Sequence, residues 1–133
     1  MELEKIDFFE LKLGGNYISF RLTPKNGHVV LNARATRLLS NEESIFYLSI
    51  CKAENGCMYI CKGDKNSPTS LRFKLDTRRK NGFGISTSIS LVRFILPPKT
   101  DFIKYKIADA PYEFNGVEVY EILINEPIST KGR

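Results

Sequence analysis

Ile18-Ser19-Phe20-Arg21-Leu22-Thr23-Pro24-Lys25-Asn26-Gly27-His28-Val29-Val30-Leu31-Asn32-Ala33-Arg34-Ala35-Thr36-Arg37-Leu38-Leu39 is the stretch on which the fold turns. Apolar and polar residues alternate from Ile18 to Leu22, the period of a half-buried strand. Asn26-Gly27 then reads as a hairpin turn, because both residue types tolerate positive φ. His28 to Leu31 follows as a short strand. Asn32 is placed to cap a helix over 33–39, which sets Ala35, Leu38 and Leu39 on one side.

The pattern comes twice. Leu71-Arg72-Phe73-Lys74-Leu75 repeats the alternation of Ile18 to Leu22, and Asp76-Thr77-Arg78-Arg79-Lys80 leads to a second turn at Asn81-Gly82. Phe83 to Ile85 is the matching strand. Ser86, Thr87 or Ser88 caps a second short helix over 89–96, stopped by Pro97-Pro98. Each half closes on a further hairpin. Ile45 to Ala53 pairs with Cys57 to Lys62 across Asn55-Gly56. Phe102 to Ala108 runs through a bulge or kink at Asp109-Ala110-Pro111, and Tyr112 to Phe114 pairs with Val117 to Ile122 across Asn115-Gly116. In that last hairpin Tyr112, Phe114, Val117 and Val119 share one face, and Glu113 and Glu118 the other.

The expected fold class is therefore α+β: internally duplicated β-β-α-β-β units sharing one core, β-rich with two short helices. Residues 1–16 form an N-terminal extra strand (Ile6 to Leu13), 17–62 the first unit, 63–70 a linker, 71–124 the second unit and 125–133 a flexible tail. A unit of about 50 residues is small for independent stability, so the two are expected to make one compact domain.

The 133 residues include 42% apolar and 26% charged side chains, a globular mixture rather than a disordered one. No apolar run approaches the ~20 residues of a membrane-spanning helix. The acidic start, Met1-Glu2-Leu3-Glu4-Lys5, does not look like a secretory signal. Cys51, Cys57 and Cys61 are an odd set, which suits a reducing cytoplasm. Their spacing is not that of a zinc site. With a two-residue turn at Asn55-Gly56, Cys51 faces Ile60 and points away from Cys57 and Cys61, so three thiols so placed hold no common ion. No cofactor or metal is expected.

The net charge of +5 is unevenly spread: residues 1–16 carry −2, 17–66 carry +3, 67–98 carry +5 and 99–133 carry −1. The central block holds Arg72, Lys74, Arg78, Arg79, Lys80 and Arg93 against Asp76 alone. Clustered cations are the electrostatic footprint of nucleic-acid binding, because each neutralised phosphate releases counterions; a solvated basic surface is the plain alternative. Arg78-Arg79-Lys80 before a tight turn puts three cations on a protruding ribbon, suited to a groove or to phosphates.

The run from Thr23 to Leu39 resembles the N-terminal motif of AbrB/MazE-like swapped-hairpin domains: a hairpin, a short Val-rich strand and a short helix, completed by a second hairpin. The resemblance covers 17–62 well and 71–124 more loosely. Members exchange hairpins as dimers, so two units in one chain imply a pseudo-dimer, complete as a monomer or able to pair as a homodimer. It also implies duplex DNA binding through the first hairpins, here Arg21 and Lys25 in one unit and Lys74, Arg78, Arg79 and Lys80 in the other; the basic block adds Arg72.

Catalysis finds little support. His28, the one histidine, has no Cys, Ser or Asp at a motif spacing. There is no phosphate-binding loop, and Glu113 and Glu118 read as a solvent-facing pair rather than hydrolase carboxylates. The expected function is non-catalytic nucleic-acid binding, duplex DNA foremost, in bacterial or phage transcriptional control. Two alternatives stand beside it. Aromatic side chains among the strands, such as Tyr17, Tyr47 and Tyr59, would suit a single-strand binder; acidic strands such as Glu113 to Glu121 would suit a phage or accessory module that meets a protein partner.

Overall fold

The computed structural model describes residues 15–76, 82–125 and 127–132. Ten strands and two helices follow in the order β1 (Asn16–Leu22), β2 (Gly27–Leu31), α1 (Ala33–Ser40), β3 (Ile45–Lys52), β4 (Met58–Lys62), β5 (Ser70–Asp76), β6 (Phe83–Thr87), α2 (Ile89–Ile95), β7 (Thr100–Ile107), β8 (Tyr112–Phe114), β9 (Val117–Leu123) and β10 (Ser129–Gly132). The expected strand over Ile6 to Leu13 lies outside the described residues.

The fold class departs from the α+β expectation. Eight antiparallel strands close into a barrel in the ring order β7-β1-β2-β6-β5-β3-β4-β9, and the pairs Lys106↔Leu123 and Ile107↔Ile122 join β9 back to β7. β8 carries the line of β7 onward along β9 after the break at 108–111, and β10 carries the line of β9 onward along β7. Exchanging β1 with β5, β2 with β6, β3 with β7 and β4 with β9 turns the ring order into itself.

Closure follows from an inward apolar face on most strands of the ring, with β6 turning Gly84 and Ser86 inward. Ile18 and Phe20 of β1, Val29 and Leu31 of β2, Phe73 of β5 and Ile107 of β7 are fully buried, while their neighbours along each strand point outward. A fully buried side chain of this size contributes roughly 1.5–3 kcal/mol. A ring leaves no strand edge exposed, which an open sheet cannot achieve.

The helices are too short to form a layer. α1 buries Ala35, Thr36, Leu39 and Ser40, and α2 buries only Val92. The antiparallel register His28↔Thr87 to Leu31↔Gly84 makes α1 leave one end of the barrel and α2 the other, so each covers one mouth. Asn32 and Ser88 cap them, their side-chain oxygens accepting from the Ala35 and Leu91 amides.

Asn-Gly dipeptides turn out to do different jobs. Asn115-Gly116 is the expected two-residue turn, with φ of 50° and 82° and Phe114 opposite Val117. Asn55-Gly56 is not. The Ala53 amide donates to the Cys57 carbonyl, which makes the loop Glu54–Gly56 three residues long, with Gly56 at φ 92° as the bulge. The register shifts by one, so Cys51 faces Tyr59 and Ser49 faces Cys61. All three cysteines therefore share the outer face, contrary to the expectation. Among the described residues, no group of three or more His, Cys, Asp or Glu could hold a metal ion.

Gly27 belongs to β2 rather than to a turn. A Cβ there would lie 2.9 Å from Ile89 Cα and Ser88 O, so glycine lets α2 sit directly on the strand. The segment expected as a flexible tail contains β10. Among the described residues no helix is long and apolar enough to cross a membrane.

Candidate nucleic-acid interface

Alternation that buries one face of a strand pushes the other into solvent, and on β1, β5 and β7 that outer face carries cations. Arg21 on β1, Arg72 and Lys74 on β5 are exposed, and Lys104 and Lys106 on β7 are half-buried. The register places two of them on one row. Lys104 faces Ser19, Ser19 faces Val30, Val30 faces Ile85 and Ile85 faces Lys74, a row across β7-β1-β2-β6-β5. Four inter-strand steps of about 4.8 Å follow the curved surface for roughly 19 Å, half-way round the eight-strand ring.

Two cations are held by rings. The Arg21 guanidinium lies 4.6 Å from the Phe102 ring centroid, and the Lys104 ammonium 5.5 Å from that of Tyr17. Such contacts fix a long side chain while leaving its charge on the surface. The acids on these five strands, Asp76 and Asp101, stand at or next to strand ends. Next to β7 in the ring, β9, with β8 paired along it, carries Glu113, Glu118 and Glu121 instead. The molecule therefore has a basic wall and an acidic side.

The candidates named from sequence do not form one tip. Lys25 sits in the β1–β2 loop, exposed, at the end of the barrel covered by α2. β5 and β6 meet at the other end, where Asp76 faces Phe83. Arg78, Arg79 and Lys80 lie outside the described residues. Arg21 on β1 stands apart from Arg72 and Lys74 on β5, with β2 and β6 between them, and Lys104 and Lys106 on β7, which the sequence reading missed, add cations to the same half of the ring. Their signal was present in Phe102, Lys104 and Lys106 alternating with Ile103, Tyr105 and Ile107; summing charge over 99–133 hid it beneath the glutamates of β8 and β9.

His28 is half-buried on the outer face of β2, opposite Arg21 and Thr87 in register. On the acidic side, burial pushes the Tyr59 hydroxyl above its usual range, helped by Cys57 and Glu121. Burial also raises the Cys61 thiol, which Cys51 adjoins. Comparison of the chain with family models, with characterised proteins and with solved structures gave no match.

Proposed function

We propose that this chain is a non-catalytic nucleic-acid-binding protein that receives duplex DNA on the β7-β1-β2-β6-β5 wall, acting in the cytoplasm in transcriptional control. The observation that carries the reading is the set of outward cations on β1, β5 and β7, Arg21, Arg72, Lys74, Lys104 and Lys106, against Asp76 and Asp101 as the acids of that half of the ring. The resemblance to AbrB/MazE-like domains supports duplex DNA and regulation, but the wall moves the contact from hairpin tips to strand faces.

The test is fluorescence anisotropy of labelled random duplex and single-stranded oligonucleotides at two salt concentrations. Duplex affinity is expected to fall steeply with salt, by a slope of about 0.9 per phosphate neutralised. Arg72→Ala/Lys74→Ala and Lys104→Ala/Lys106→Ala should each flatten that slope by about 1–2. If both bind as the parent does while Arg78→Ala/Arg79→Ala loses binding, the tips carry the contact and the wall does not. Absence of binding to either oligonucleotide at low salt overturns the reading.

A further inference from the structure

The β8–β9 hairpin stands apart from the basic wall in both shape and charge. Its outward face shows Tyr112, Phe114 and Val117, 54%, 59% and 48% exposed. The rings are ordered against Tyr59 of β4, whose centroid lies 6.4 Å from that of Tyr112 and 6.5 Å from that of Phe114. The inward face bears Glu113 directly opposite Glu118, both exposed. The two-residue turn makes Phe114 and Val117 the hydrogen-bonded pair, so Glu113 and Glu118 form the closer, non-hydrogen-bonded kind. Like charges so placed repel, and nothing in the barrel's closure requires them.

The same geometry leaves β8 with a free edge. Among the described residues β9 is its one strand neighbour, and the alternation directs the Glu113 N–H and C=O outward, away from β9. Beside the glutamate face, a cleft of about 380 Å³ lies between the hairpin and α1, with Leu38, Lys62, Glu118 and Tyr120 among its lining.

We infer that this hairpin is a docking site for an extended segment of a protein partner in which arginines alternate with apolar residues. Such a strand beside β8 hydrogen-bonds the Glu113 backbone, sets its apolar residues against Tyr112 and Phe114, and places its arginines by Glu113 and Glu118. Backbone pairing supplies affinity and the alternate side chains supply specificity. Arginine fits better than lysine because its planar fork matches a carboxylate with two hydrogen bonds. A second copy of this chain is a poor occupant: antiparallel pairing of two β8 edges centred on Glu113 would gather four glutamates on one face. A nucleic acid is poorer still, since its phosphates would meet the same carboxylates.

The experiment titrates the full chain into the fluorescein-labelled pentapeptide Val-Arg-Thr-Arg-Val, with versions carrying lysine or glutamate in place of arginine. Saturable binding is expected, at least fivefold weaker for the lysine peptide and lost for the glutamate one. Glu113→Gln/Glu118→Gln and Phe114→Ala should each weaken it at least fivefold while circular dichroism and oligonucleotide binding stay as in the parent. Equal binding of the arginine and lysine peptides, or equal binding by the variants, overturns the proposal. So does a concentration-dependent dimer in sedimentation that Phe114→Ala abolishes, because the occupant is then a second copy.

Discussion

Phe20 of β1 meets Tyr105 of β7 edge-on, ring centroids 6.2 Å apart; at the matching place in the other half, Phe73 of β5 stacks on Phe46 of β3 at 5.5 Å. Outside the barrel the halves part company. The β3–β4 hairpin turns through three residues and lays Lys52 over Phe94 of α2 at 5.3 Å. The β8–β9 hairpin turns through two and leaves Tyr112 and Phe114 open to solvent. Filling one barrel is a demand that both halves share, and they meet it with different residues, Val29 and Leu31 turned inward on β2 but Gly84 and Ser86 on β6. The outside is released from that demand, and the side chains that differ there are the ones to suspect of meeting other molecules.

The comparison can be broken most forcefully from within. Phe20→Ala and Phe73→Ala should each cost about 3–5 kcal/mol in urea unfolding; a gap beyond ~2 kcal/mol between them would show that the two aromatic pairs do not do equivalent work. Gly27→Ala should cost about 1–3 kcal/mol, more than Gly84→Ala. The new methyl at 27 meets the backbone of Ser88 and Ile89, whereas at 84 it meets side-chain atoms of Phe46 and Thr36 that can give way.

The two caps sharpen the contrast at smaller scale. The Asn32 side-chain oxygen accepts from the amides of Ala35 and Tyr17, and its amide donates to the Gly15 carbonyl, so it ties β1 to α1. Ser88 accepts from the Leu91 amide. Asn32→Ala should cost about 1–2 kcal/mol against about 0.5–1 for Ser88→Ala.

The smallest effect separates the aromatic pairs by pH. Burial raises the Tyr105 hydroxyl above the ordinary 10.0. The native state thus favours the neutral phenol, and its contribution is fully present below pH 10.0 and lost as pH rises through the folded-state value. Tyr105→Phe should lose less stability than the parent above that pH in alkaline unfolding curves, a term for which Phe46 offers no counterpart.

Local chemistry was legible where it was self-contained. The cap at Asn32, the break after Ala108 and the turn at Asn115-Gly116 follow from the residues on the spot, and Ser88 is one of the three residues that could cap the second helix. Asn55-Gly56 misled because the dipeptide does not reveal whether two or three residues make the loop, and one residue of slippage carried Cys51 to the other face. Gly27 misled because its reason lies in α2, some 60 positions along the chain. Barrel closure rests on β9 finding β7, a pairing no local alternation encodes. The wall was half legible: Arg21, Arg72 and Lys74 stood out by charge, but only the strand order puts β7, with Lys104 and Lys106, beside β1.

The pairing of β1 with β7 has a consequence in time as well as space. The side chains of Asn16 and Asp109, which meet at one end of that pairing, are 93 positions apart in the chain. At ~5–20 residues per second, β1 leaves the ribosome on the order of 5–20 s before the strand that covers its outer edge. Until then the β1–β2 hairpin presents an open edge to every neighbouring nascent chain. The half of this protein that is made first is therefore the half that must wait, and crowding during synthesis is the hazard its early strands have to survive.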